Sequence, residues 1–432
     1  MSPETIGLIG FAVMLALLAL RVPVAVAMIS VAVVGYGQIV NNDAALARLG
    51  ADAFNGAASY NLSVIALFVL MGLLLAAAGL GVDSYRALDV FLWRTRGGLA
   101  VATLGASAMF ASVSGSAVAS ATTMSVVAVP EMRKYGYNAG LSAACAAVGG
   151  TLGALIPPSA VLVLYGVLTE EPIGDLLLAG IMPGVLTAVL LMATAYVVIR
   201  RRPDLGADSF SKPDLGWFAA VRLVWAVPVI FFVSMGGIFY GVFTPTEAGA
   251  AGAGLALIYG VGTRRLKWRG FVDALSRTVR TTAFIFLLVI AGKIFGFFLA
   301  VSRIPFEVTE FVAGINAPRW AVVAVIFAVY FILGALMDEI AILVIMTPIV
   351  YPVVIDLGYD GVWFGVLTIM MLLTGLITPP VGLITFVVSG VTEIPLAQVF
   401  RGLMPFIAAL SAAILIMIAS PDIALWLPGM AS

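Results

Sequence analysis

The chain contains no histidine and a single cysteine, Cys145, so it has no imidazole or thiolate cluster for a metal, no disulfide and no cysteine–histidine pair. Charge is scarce too. Charged side chains make up 10% of 432 residues, and 22 basic and 22 acidic groups cancel, so no polyelectrolyte character points to nucleic acid. Enzyme chemistry therefore starts with few of its usual groups. What is abundant is hydrocarbon: 62% of the residues are apolar and mean hydropathy is +1.16. No soluble fold could hide that much apolar surface from water, so the bilayer has to be the solvent. The predicted class is an all-α polytopic membrane protein. Met1–Leu20 is apolar, but Glu4 stands where a signal peptide is positive and Arg21 follows, so this stretch reads as a first span.

The chain repeats itself. At an offset of 222 positions Pro130 falls on Pro352, Gly136-Tyr137 on Gly358-Tyr359, Gly153 on Gly375, Pro157-Pro158 on Pro379-Pro380, Glu171 on Glu393, and Gly180, Met182 and Pro183 on Gly402, Met404 and Pro405. Pro23 falls on Pro245 at the same offset. Proline and glycine fix backbone shape, so shared ones predict a shared pattern of bends, and duplication in a hydrophobic chain is a transporter signature.

Breaks at charges and turns predict spans near 5–21, 23–40, 61–80, 139–168 and 175–199, then 222–243, 246–262, 280–302, 360–390 and 400–420. Two stretches do not fit this scheme. Gly97–Pro130 runs 34 residues without a charge; as one helix it would reach about 50 Å, against a hydrocarbon core of about 30 Å. It must double back at Ser112-Val113-Ser114-Gly115-Ser116. Its mate, Trp320–Pro352, breaks at Gly334-Ala335-Leu336-Met337-Asp338-Glu339. A re-entrant hairpin does not change sides, so five crossings per copy turn the second copy over and make the repeats inverted. Basic residues test this topology, since cytoplasmic loops hold the lysines and arginines. With the N-terminus outside, all 22 basic residues except Arg48, Arg303, Arg319 and Lys293 lie within (Arg96 and Lys212 among them), and both termini are periplasmic.

The candidate chemistry sits where helices break. Pro157 and Pro158 remove amide donors after Gly153, freeing carbonyls in mid-membrane that only protein, water or an ion can satisfy. Thr374–Val381 repeats the arrangement around Pro379-Pro380. Sodium, a hard cation, suits neutral oxygens from unwound backbone and hydroxyls. One Na+ is assigned to Ser112, Ser114, Ser116, Gly153, Ile156 and Pro158, with the choice among the serines open, and a second to Gly334, Asp338, Gly375, Thr378 and Val381. The plainer alternatives are a proline kink and small residues that let helices pack closely. The carboxylates of Asp338-Glu339 cost about 2.5–3.5 kcal/mol each near mid-membrane. Either an ion pair with Lys293 or coupling to sodium, proton or substrate would compensate. Lys293 could equally snorkel or face a substrate carboxylate. Substrate contacts are assigned to Ser116, Ser159, Lys293 and Asp338.

Three features read as structural. Thr244-Pro245-Thr246-Glu247 is a capping box, Cys145 a packing residue, and Arg200–Trp217 an inner-face linker. Thr263–Arg280, amphipathic and basic, reads as a helix lying along the inner surface.

Taken together, Ser114-Gly115-Ser116-Ala117-Val118-Ala119, Gly153-Ala154-Leu155-Ile156-Pro157-Pro158-Ser159, Phe243-Thr244-Pro245-Thr246-Glu247-Ala248, Met337-Asp338 with Pro348 and Pro352, and Ile377-Thr378-Pro379-Pro380-Val381-Gly382 resemble one family across essentially the whole chain. It is the large membrane subunit of tripartite ATP-independent periplasmic (TRAP) transporters, in the ion transporter superfamily. The resemblance implies a sodium-driven, elevator-type importer of the bacterial inner membrane, using two or more Na+. Its partners would be a four-helix small membrane subunit and a periplasmic binding protein delivering an organic acid such as a C4-dicarboxylate, a sialic acid or a sugar acid. A length of 432 residues leaves no room for a fused small subunit, so a separate chain is expected. Scaffold elements are placed at 1–96 and 203–318 and transport elements at 97–202 and 319–432, with hairpins at 97–131 and 320–352 and broken helices at 139–168 and 360–390. The alternatives are a stand-alone sodium–dicarboxylate carrier of the same superfamily, a channel and an intramembrane enzyme.

Overall fold

A computed structural model describes residues 1–95, 97–206, 215–314 and 318–431; Arg96 and Lys212 of the inner basic set, and Ser432, lie outside them. The described residues form helices and no strands. In the first copy α1 (Pro3–Ala19), α2 (Val24–Ile39), α3 (Asn42–Ala57), α4 (Ser63–Ala77) and α5 (Leu80–Leu92) precede α6 (Gly98–Ser114), α7 (Ala117–Lys134), α8 (Ala139–Leu155), α9 (Ala160–Thr169) and α10 (Ile173–Arg201). The second copy comprises α11 (Trp217–Val224), α12 (Ala226–Phe239), α13 (Pro245–Gly262), α14 (Trp268–Val301), α15 (Ile304–Gly314), α16 (Arg319–Gly334), α17 (Glu339–Asp356), α18 (Gly361–Gly375), α19 (Leu383–Thr392), α20 (Leu396–Ala419) and α21 (Asp422–Ala431).

Helix boundaries repeat at the sequence offset: α1 and α2 match α12 and α13, α5 matches α15, and α6 to α10 match α16 to α20. The Pro157–Pro158 and Pro379–Pro380 peptides are both cis. The register runs one residue out from the start of α9 and α19 to the caps of α10 and α20, Pro172 and Pro395: the left-handed residues that end α9 and α19 are Glu170 (φ 61°) and Glu393 (φ 57°). Glu171 is therefore not the structural mate of Glu393. Its Oε1 instead accepts a 2.5 Å hydrogen bond from the Tyr351 hydroxyl.

Every predicted crossing falls on helix. Tyr60–Ala77, Ile173–Arg201, Trp268–Val301 and Leu396–Ala419 are unbroken, apolar and long enough to cross a membrane. Glu339–Asp356 also qualifies but is one arm of a hairpin. The 139–168 span is a pair bent by 41°, as its prolines require; the 222–243 span is also bent by 41°, at Trp225, where no bend was foreseen. The helices α3, α5, α15 and α21 were not predicted.

The largest departure is α14. The inner-surface helix expected at 263–280 is instead the first part of one 34-residue helix that continues through the span, about 51 Å long. The first copy divides the same stretch into α3 and α4 at Ala58–Leu62, where Ser59 and Asn61 compete with helical bonding and a short turn forms. From Phe271 to Ala291 the second copy has neither glycine nor proline, so nothing interrupts it. Just before α14, Arg265 pairs with Asp83 of α5. Burial pushes the Asp83 carboxyl up from its usual range and the Arg265 guanidinium opposes that shift.

The capping box is present: Thr244 Oγ1 accepts from the Glu247 amide at 3.3 Å, and Glu247 Oε2 accepts from the Thr244 amide at 2.8 Å. Cys145 is free and fully buried in the main core. In solubilised protein it should stay unmodified by a maleimide that labels a Ser2→Cys thiol to completion, Ser2 being exposed. Equal labelling rates would show that the core is open.

Candidate functional site

The tip of the first hairpin is three residues. Ser114 ends α6, Gly115 turns the chain in the left-handed region at φ 64°, and Ser116 begins α7, its hydroxyl accepting from the Ala119 amide at 3.3 Å. A methyl group on Gly115 would lie 2.8 Å from the Pro158 carbonyl oxygen, so tip and broken helix approach backbone to backbone. Gly153 does the same from the other side: its open face meets the Ser116 carbonyl and, at 2.6 Å from where a Cβ would stand, the Ser120 hydroxyl. Ser120 in turn shares a 2.7 Å hydrogen bond with Ser114.

Chain chemistry explains the free oxygens. The last amide of α8, at Ile156, bonds to Leu152, and the amides that would serve Gly153 and Ala154 belong to Pro157 and Pro158 and do not exist. The Ala154 carbonyl is served by the Ser159 hydroxyl at 2.5 Å; the Gly153 carbonyl receives no amide from its own helix. Ser114, Ser116, Gly153 and Pro158 are thus brought together, with Ser120 added. Ser112 is not: its hydroxyl donates to Met109 at 2.8 Å on its own helix. The Ile156 side chain is buried and packs against Gly184. Ser159 is buried as the cap of α9, accepting from Leu162 at 3.2 Å, so its one donor and one of its two lone pairs are used locally.

The second hairpin meets its own broken helix similarly. Gly334 and Gly375 touch backbone to backbone, and the Gly382 amide donates to the Ala335 carbonyl at 3.2 Å. That amide would otherwise close the turn on Thr378, whose hydroxyl donates to Thr374 at 2.7 Å. Asp338 faces its own helix: Oδ1 caps α17 through the Ile340 amide at 3.0 Å. Val381 is exposed. Lys293 is exposed on α14 and makes no ion pair among the described residues, so it does not balance Asp338.

The two tips share one space. A cavity of about 570 Å³ is lined by Ser114, Gly115 and Ser116 of one hairpin and by Glu339 and Ile340 of the other, with Arg277 of α14. Across it the copies exchange partners, α7 packing on α19 and α17 on α9. Glu339 is buried with Oε2 lacking a hydrogen-bond partner. The sequence singles out Asp338-Glu339 as a pair but assigns only Asp338 to a site, and Ser120 is not among the assigned residues. Both had a signal: Asp338 as a cap puts Glu339 in the first turn of α17, and Ser120 stands four residues after the cap Ser116, on the same helix face. Neutral oxygens dominate both break regions, and no cluster of three or more acidic or thiol groups exists among the described residues.

Comparison with known proteins fits this architecture. The crystal structure of the Alcanivorax borkumensis YdaH transporter aligns with a TM-score of 0.65 over 90% of each chain at 14% identity, a likeness of fold. The chain is 34% identical over 87% of its length to the isethionate TRAP transporter permease protein DctMQ of Oleidesulfovibrio alaskensis, of which it spans 59%. It is 31% identical to the C4-dicarboxylate TRAP transporter large permease DctM of Pseudomonas aeruginosa, covering 87% of this chain and 88% of that one. With the sialic acid TRAP transporter large permease SiaM of Vibrio cholerae it shares 30% identity over 90% and 91%. These relatives are transporter permeases. The family described as "Tripartite ATP-independent periplasmic transporter, DctM component" matches residues 11–423, and the chain belongs to it as a TRAP transporter large membrane subunit.

Proposed function

We propose that the chain imports a small organic acid across the bacterial inner membrane by Na+ symport. It would act with a separate four-helix small subunit and a periplasmic binding protein that delivers the cargo. The relatives name C4-dicarboxylate, sialic acid and isethionate as cargoes, so an organic anion is the class proposed here. The observation that carries the reading is the repeated contact of hairpin tip with broken helix, at Gly115–Pro158 and at Gly334–Gly375. On this reading the two copies are inverted, α6 to α10 and α16 to α21 move together as a transport domain, and the remaining helices form its scaffold. One Na+ would sit among oxygens of Ser114, Ser116, Ser120, Gly153 and Pro158, the other between Gly334, Gly375 and the Thr378 oxygens. The ions would hold the tips closed on cargo in the shared cavity.

The test is a sodium titration of uptake in proteoliposomes containing all three partners. Ser114→Ala and Thr378→Ala should each weaken apparent Na+ affinity about tenfold, the equivalent of one lost contact of about 1.4 kcal/mol. Unchanged titrations in both variants would remove the sodium assignment. Uptake by this chain alone would favour a stand-alone carrier.

A further inference from the structure

Where α10 ends and α20 begins, the surface opens into a cavity of about 1000 Å³ whose charged lining among the described residues is three arginines, Arg201, Arg202 and Arg401, and no carboxylate. On the other flank of the same helix end a smaller pocket of about 410 Å³ holds Arg94 and Arg200. Helix-end electrostatics account for part of this. Cations in the last turn of α10 complement its dipole. They do not account for Arg401, the sixth residue of α20, which lies beyond the turn where the dipole acts. Three guanidinium groups around one cavity call for an anion, and each offers a planar fork that matches phosphate oxygens.

The rest of the lining says what kind of anion. Leu190, Val197 and Met404 make an apolar wall beside the arginines. Along α10 the wall continues as a stripe at helical spacing: Val185, Val189, Ala193, Val197 and then Arg201, each four residues after the last. Val185, Val189 and Val197 are 51%, 52% and 42% exposed. The stripe spans about 24 Å and ends on a cation. An apolar track capped by guanidinium groups fits an acyl chain joined to a phosphate.

We propose that this cavity binds an anionic phospholipid of the surrounding bilayer, with Arg201, Arg202 and Arg401 on the headgroup phosphate and the α10 stripe along an acyl chain. The anionic character of the inner leaflet supplies such a ligand. The site is independent of sodium coupling: it requires only that the chain spans a membrane with this basic end on the inner side, the side the distribution of basic residues predicts.

The experiment is native mass spectrometry and thermal melting of the full chain, alone and with its small subunit, in phosphatidylcholine nanodiscs with and without phosphatidylglycerol. Wild type should retain phosphatidylglycerol after delipidation and melt higher in its presence. Arg201→Gln combined with Arg401→Gln should lower retention at least tenfold, whereas Arg264→Gln with Arg269→Gln, which changes basic residues outside the cavity, should not. Should the arginine variant fail to fold, Ala193→Trp fills the cavity, keeps the charges and is expected to lose the lipid as well. Retention equal to wild type in either cavity variant overturns the proposal. So does equal stabilisation by inorganic phosphate in detergent, which would make the site one for a soluble anion. Loss of lipid on assembly with the small subunit would make it a protein interface instead.

Discussion

One methyl group at Gly375 is expected to abolish sodium-driven uptake. A Cβ there would stand 2.7 Å from both the carbonyl carbon of Gly334 and the carbonyl oxygen of Phe331. These are backbone atoms and cannot rotate away, so Gly375→Ala must push α16 off α18 and carry the second hairpin tip with it. Overpacking of this kind costs about 1–3 kcal/mol, too little to prevent insertion but enough to displace the oxygens that the sodium site proposed above would use. Uptake should fall about a hundredfold or more while the protein still inserts and melts cooperatively. Gly254→Ala, at a position on α13 with nothing within 4 Å, is the matched control and should transport normally. A Gly375→Ala protein with the sodium titration of wild type would show that the contact between tip and broken helix has no part in coupling.

The second large effect concerns the driving force. A tenfold inward Na+ gradient supplies about 1.4 kcal/mol per ion, so two ions should accumulate cargo about a hundredfold, and replacing Na+ by K+ should reduce accumulation to none. Voltage then reads the stoichiometry. With two Na+, a dianion moves no net charge and an imposed potential should change nothing. A monoanion moves one positive charge inward and should gain about 2.3 kcal/mol per 100 mV, about fiftyfold. Accumulation that persists in K+ would exclude sodium as the driving ion.

The sequence disclosed the backbone plan well because that plan is written in residues with few conformational choices. Pro157-Pro158 and Pro379-Pro380 marked both broken helices, and the uncharged run from Gly97 marked a hairpin whose turn falls at Gly115, inside the predicted window. Side-chain direction was harder. Ser112, Ser114 and Ser116 are equivalent as letters, yet one bonds its own helix, one bonds Ser120 and one caps α7. Lys293 looked like a counterion because it is alone in an apolar span, but helix rotation decides which way a lone charge points, and α14 turns it outward. The Glu171–Glu393 match failed for a different reason: an ungapped offset cannot see a one-residue slip, and the left-handed cap shows where it lies.

Fusion of two segments into α14, set against their separation as α3 and α4, makes the duplicated halves mechanically unequal. The first half has an elbow between α3 and α4; the second is a single strut running from Trp268 to Val301. A torque applied at the strut's basic end reaches its far end undiminished, whereas the elbow can absorb one. The two halves thus differ as one stiff shoulder and one loose one, and on the transport motion proposed above the displacement should pivot against the stiff side.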